Sequence, residues 1–286
     1  MESPLVVGVD GSDASLAAVD WGADEAVRHA LPLRIVHASL WERYEGTVPD
    51  TDADRLVRAA ADRARLRAPG LPLTTDVLPE DPSGALLREG ADAALLVLGC
   101  RGRGKVADLL LGSVSLGVAA RASCPVVVVR GDAQALESRH GRVLLGVGEH
   151  DVDGPAVRFA FREAAARGAE LDAVRAWRRP SHTVLPAGGT DAEGEGRASE
   201  RLDEALDAVA REHPGVRLLR STVEGPAHRV LTERSAAADL LVVGALRRDG
   251  LVGLELGRVA HRALHHASCP VAVVPQRPPA PQEGEA

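Results

Sequence analysis

The chain has 286 residues, which fits one large domain or two ordinary ones. Apolar residues make up 45% but aromatic ones only 2%, so its cores must be built from Val, Leu and Ala, as in buried parallel strands. A formal charge of −7 argues against nucleic acid as a partner, which calls for a basic face, and no apolar run approaches the length that spans a bilayer.

The N-terminal stretch MESPLVVGVDGSD has no basic segment followed by a long apolar run, so no signal peptide is expected. Strands are predicted at Leu5–Val9, Leu33–His37, Leu73–Val77, Ala94–Leu98 and Val126–Val129. Helical patterns fall between them at Asp13–Ala30, Asp52–Arg67, Ser83–Gly90 and Ser113–Arg121. This alternation implies a parallel sheet with helices on both faces and right-handed crossovers. Ligands of such sheets sit at the carboxyl ends of strands, near the switch in strand order. Asp10 and the loop after Gly99 both fall at such ends.

The chain then repeats itself. LLVLGCRGRGKVADLLLGSVSLGVAARASCPVVVV from Leu95 aligns without gaps to LLVVGALRRDGLVGLELGRVAHRALHHASCPVAVV from Leu240, at an offset of 145. Nearer the start of each half the offset is 138, with IVHA at Ile35 matching AVRA at Ala173. The difference is an indel, expected in a loop formed by the Gly-rich stretch PAGGTDAEGEGRASE. Two homologous domains follow, residues 1–133 and 141–276, joined through the polar stretch Gly131–Gly141, with a disordered tail at 277–286. The three cysteines, Cys100, Cys124 and Cys269, are too few and too odd in number for a disulfide framework, so a reducing, cytoplasmic setting is expected.

The most informative stretch is LGCRGRGKVADLLLGSV, from Leu98 to Val114. A buried-strand run leads into Gly99, Gly102 and Gly104, interleaved with Arg101, Arg103 and Lys105, the only lysine of the chain. Gly112 and Ser113 close the stretch. Glycines let backbone amides approach an anion closely. A helix start offers free N–H groups and partial positive charge to phosphate, and Ser113 is placed to cap that helix with its hydroxyl. The pattern is neither GxxxxGK[ST] nor GxGxxG after a first strand.

With its spacing Gly99-x2-Gly102-x9-Gly112-Ser113, followed by Val114-Ser115, the chain resembles the universal stress proteins in their tandem, two-domain form. VGVDGS at Val7 and CPVVVV at Cys124 match that family's first and last strands. The resemblance implies two open parallel sheets of five strands each, order 3-2-1-4-5. It also implies ATP, accompanied by Mg²⁺, held by Gly8, Asp10, Ala38, Gly99, Gly102, Gly112, Ser113, Val114 and Ser115. Adenine would lie near Asp10 and Ala38, ribose near Asp10, and phosphates on Gly102, Gly112, Ser113, Val114 and Ser115. From the residues alone, Asp10 is equally a turn-forming aspartate before Gly11. The family's last strands pair with one another, so the edges PVVVV and PVAVVP imply a pseudo-dimer within the chain and a homodimer beyond it.

The second half departs from the signature: Gly148 stands for Asp10, Arg247 for Gly102 and Arg258 for Ser113. Its site is expected to be degenerate or to take a changed ligand, with arginine forks as one way to hold phosphate. His261, His265 and Cys269 have a spacing that permits a metal, but exposed histidines on a polar helix explain them as well, and none is assigned. Cys124 and Cys269 read as small buried residues, and Cys100 as a thiol beside a positive loop. The expected function is a nucleotide-responsive regulatory module, not an enzyme. A slow ATPase and a non-binding dimerisation scaffold are the alternatives.

Overall fold

The computed structural model describes residues 3–40, 52–100, 111–148, 154–178, 191–246 and 256–276. The first half runs β1 (Leu5–Gly8), α1 (Asp13–Arg28), β2 (Leu33–Ala38), α2 (Asp52–Arg67), β3 (Leu73–Leu78), α3 (Pro82–Glu89), β4 (Leu95–Gly99), α4 (Ser113–Arg121) and β5 (Val126–Val129). A short helix α5 (Ala133–Leu136) follows. The second half runs β6 (Arg142–Gly146), α6 (Pro155–Arg167), β7 (Glu170–Trp177), α7 (Asp191–Glu212), β8 (Leu218–Glu224), α8 (Ala227–Arg234), a 3-10 turn at Ser235–Ala237, β9 (Leu240–Leu246), α9 (Arg258–His266) and β10 (Val271–Gln276).

Local chemistry sets the helix ends. Ser12 caps α1 by accepting the Ser15 N–H at 3.2 Å, and Asp81 caps α3 by accepting the Gly84 N–H at 2.9 Å. Pro155 opens α6, and Gly168 closes it in the left-handed conformation. The stretch Gly131–Gly141, expected only as a polar join, carries α5, capped by Asp132. It is fastened to the second half where Asp239 accepts the backbone N–H groups of His140 and Arg142.

One segment departs from the sequence expectation. DAEGEGRASE, expected as part of a Gly-rich loop, is the first part of α7. Burial of Ala198, Leu202, Ala205, Leu206 and Val209 on one face of the helix outweighs the cost of its two glycines. Gly194 has a packing role: a Cβ there would meet the Trp177 ring at 2.8 Å. PAGGT before it, and the tail 277–286, lie outside the described residues.

All ten strands form one sheet, in the order β3-β2-β1-β4-β5-β10-β9-β6-β7-β8. Each half keeps the 3-2-1-4-5 order and is parallel throughout. The halves meet where β5 and β10 pair antiparallel, Val127 opposite Ala272. The expected pairing of last strands is thus made inside the chain, and both strands have neighbours on either side, which leaves neither edge for a second copy. Two apolar cores cover the faces, and each runs across both halves. Gly131 lies at the seam with φ +104, and a Cβ there would meet the Ser268 carbonyl oxygen at 2.2 Å, so only glycine fits.

Candidate functional site

β1 lies between β2 and β4, so the strand order reverses around it. Asp10 lies just past its carboxyl end, half-buried. One carboxylate oxygen accepts the Ser12 N–H at 3.0 Å and the Ser12 hydroxyl at 2.6 Å. Gly11 between them takes φ +77, a value that glycine adopts freely. Asp10 therefore does shape the turn into α1.

Neighbouring strands complete the ledge. His37 donates from Nδ1 to the Val9 carbonyl at 2.8 Å, and Ala38 ends β2 half-buried. Gly8 and Gly99 are glycine for packing. A Cβ on Gly8 would meet Leu98 at 2.6 Å, and one on Gly99 would meet the Ala14 backbone at 2.5 Å. The chain returns to this edge at Gly112, whose N–H donates to the Cys100 carbonyl at 2.8 Å.

The start of α4 differs from the expectation. Gly112, not Ser113, is the capping residue, in extended conformation and without a side-chain cap bond. Ser113 is the first helical residue and is exposed. The Gly112–Cys100 backbone bond fixes the chain one residue earlier than a serine cap would. First-turn N–H groups thus lack a side-chain acceptor, which favours an anion there. Val114 packs at the rim of the core, and buried Ser115 donates its hydroxyl to the Gly99 carbonyl at 2.7 Å, tying α4 to β4. Gly102, with Arg101, Arg103, Gly104 and Lys105, lies outside the described residues.

The second half preserves the frame and changes the chemistry. Gly146 abuts Leu231 as Gly8 abuts Leu86. Gly148 is exposed, and its carbonyl accepts from Arg175 at 2.7 Å. Gly257 caps α9 without a side-chain bond, and exposed Arg258 is its first residue. Arg258 therefore does not displace a capping hydroxyl, since the equivalent helix α4 has none. Ala260 occupies the position of Ser115, and Arg247 lies outside the described residues. At the carboxyl ends of these strands opens a cavity of about 600 Å³ rich in arginine, which the sequence reading did not find.

The reading also missed a buried ionic cluster between the halves. Glu25 and Glu163 occupy equivalent positions at the offset of 138, as do His29 and Arg167. Arg167 donates to both oxygens of Glu25, at 3.1 and 2.7 Å, and also to Glu163. His29 lies 3.1 Å from each carboxylate. The side chains of Glu25, Glu163 and Arg167 are at most 2% exposed. Burial would raise the Glu25 carboxyl, but the Arg167 charge and the hydrogen bonds from His29 and Glu163 bring it well below the usual range. Burial and the nearby Glu25 charge push Glu163 up. Hydrogen bonds to Glu163 and Glu25 raise His29 to about 9. Glu25, His29 and Glu163 are the only three metal-ligand groups that converge among the described residues, but Arg167 fills the place of a cation.

His261 and His265 lie one turn apart on α9 with their rings tilted and centroids 4.6 Å apart. Cys269 is buried, which pushes its thiol up to about 12, in line with an inert residue. No described helix is long and apolar enough to cross a membrane.

A family model, the universal stress protein family, matches residues 1–130 and again 140–275. A universal stress protein of Mycobacterium tuberculosis is 35% identical over 95% of this chain and 97% of its own length. Another, from Mycolicibacterium smegmatis, is 33% identical over 96% of this chain and 98% of its own. The crystal structure of a universal stress protein from Archaeoglobus fulgidus is similar in fold, with a TM-score of 0.66 at 18% identity, covering 95% of this chain and 98% of that one. The doubled match, the relatives matched over nearly their whole length and the shared fold agree, and the chain belongs to the universal stress protein family.

Proposed function

We propose that the first half, within residues 1–133, binds ATP with Mg²⁺, and that the chain acts as a cytoplasmic regulatory module responding to that nucleotide. One observation carries this reading: the start of α4, at the carboxyl end of β4 and close to the strand-order reversal, lacks a side-chain cap and exposes Ser113. In this reading the amides of Ser113 and Val114 hold phosphate, Gly112, whose own N–H is bonded to Cys100, borders it without a side chain, and Gly102 allows close backbone approach. Asp10 accepts from the ribose and Ala38 borders the base. Gly8, Gly99 and Ser115 act through the backbone they position, since their close contacts and hydrogen bond are internal. Mg²⁺ would neutralise phosphate charge.

The test is nucleotide content and affinity. The full chain is purified without added nucleotide, denatured, and its released nucleotides identified by chromatography. ATP with Mg²⁺ is then titrated into emptied protein. Gly102→Arg, which copies the change in the second half, is expected to abolish binding at the first site. Absence of bound nucleotide together with no ATP binding would leave the scaffold reading. Stoichiometric release of ADP and phosphate over time would favour the ATPase reading.

A further inference from the structure

The arginine-rich cavity of the second half is built from three separate parts of the chain. Arg175 and Arg178 come from the end of β7. Arg197 and Arg201 lie one turn apart on α7, and Arg258 opens α9. No Asp or Glu lines the cavity among the described residues, although the chain as a whole is acidic. Arg201 meets Glu204 at 3.5 Å and Arg175 donates to the Gly148 carbonyl. Arg178, Arg197 and Arg258 have no carboxylate partner among the described residues.

Two helix starts open into the same space. α8 begins after Pro226 and α9 after Gly257, neither with a side-chain cap bond, and the first two residues of each helix line the cavity. Uncapped N–H groups and guanidinium forks both seek anionic oxygen. Gathering five guanidiniums here with no carboxylate among the described lining residues is unfavourable in itself. It is relieved by a counter-anion of high charge. Arg258 at the start of a helix is misplaced with respect to the helix dipole unless such an anion lies between them.

We propose that this cavity is a binding site for a phosphate chain, held by arginine side chains and two helix starts, and distinct in its recognition from the site of the first half. The aspartate of the first site is replaced by Gly148 and its Gly102 by Arg247, so the ligand is selected by its chain of anionic oxygens. An inorganic polyphosphate and the phosphate tail of a nucleotide present the same chemistry. The reading does not depend on ATP binding by the first half.

Inorganic tripolyphosphate is titrated into the full chain at low ionic strength, followed by calorimetry and by tryptophan fluorescence, since Trp177 lines the cavity. One tripolyphosphate per chain is expected to bind. Affinity should fall about tenfold or more in Arg258→Ser and in Arg197→Ala/Arg201→Ala, as lost charge-assisted hydrogen bonds dictate. It should also fall steeply with added salt. Gly102→Arg should leave it unchanged, and Trp177→Phe should remove the fluorescence signal while the heat persists. In the Gly102→Arg background ATP is expected to bind with affinity comparable to tripolyphosphate, and adenosine not at all. No binding of tripolyphosphate, binding indifferent to salt and to the arginine variants, or ATP binding there while tripolyphosphate is silent would each overturn the proposal. Failure of the first-half reading would show instead as loss of Gly102-dependent ATP binding, with the tripolyphosphate result intact.

Discussion

Arg167→Met removes the cation at the centre of the buried cluster while keeping most of the side-chain volume. Glu25 and Glu163 then face each other out of water, with His29 between them and Arg28 on the Glu25 side. Removing one partner from a buried ion pair typically costs about 3–5 kcal/mol, because the remaining charge is stranded. For a chain of this size that corresponds to a fall in melting temperature of roughly 6–20 °C. The assay is urea denaturation of the full chain followed by circular dichroism, at pH 8 and at pH 5. The loss should be smaller at pH 5, since carboxyls without Arg167 take up protons more readily. In a Glu25→Gln/Glu163→Gln background the same substitution should cost less than about 1.5 kcal/mol, as a double-mutant cycle isolates the charge interaction. An equal cost in both backgrounds would show that Arg167 acts through packing, over Trp21 for instance, and would refute the electrostatic account.

His29 holds its proton more tightly in the folded chain than the ordinary value of 6.5 allows, up to about 9. The stability it supplies is complete below about pH 6.5 and is lost as pH rises toward 9, an effect of about 1–2 kcal/mol after allowing for its partly exposed ring; pH-dependent thermal melts should show the decline, and His29→Gln should flatten it. Gly99→Ala drives a Cβ into the Ala14 backbone at 2.5 Å, and the α1–β4 packing should lose about 2–3 kcal/mol in the same denaturation assay, with a wild-type midpoint overturning the clash argument.

Much of the fold was legible because each strand is a short aliphatic run between turn residues. The predicted strand and helix spans of the first half lie within two residues of those observed. The sheet order followed from family resemblance, not from periodicity. What escaped the sequence was whatever depends on contacts between distant segments. Ser113 reads as a cap because serine commonly is one, but the backbone bond from Gly112 to Cys100 shifts the helix start. The glycines of α7 read as a loop because propensity outvoted a buried stripe that needs Ala198 and Leu202 in register. The arginine cavity was invisible because its members come from β7, α7 and α9, and a net charge of −7 conceals local positive charge. The ionic cluster did leave a trace: at the repeat offset of 138, Glu25-x3-His29 aligns with Glu163-x3-Arg167, acidic residues on helix faces that are otherwise apolar.

The antiparallel seam between β5 and β10 turns the two halves head to tail. Carboxyl ends of strands in one half point away from those in the other, so the ledge at Asp10 and the cavity at Arg258 open on opposite rims of the slab. Between β1 and β6 the sheet spans five strand spacings, about 24 Å at the usual separation. Ligands on the two rims cannot touch or compete for space, and the chain can carry both at once. Any message from one rim to the other has to travel through the seam itself. There Val126, Val127 and Val128 of β5 pair with β10, glycine fills position 131, and α1 and α6 share buried charges. The two proposed sites thus lie at opposite ends of one continuous sheet.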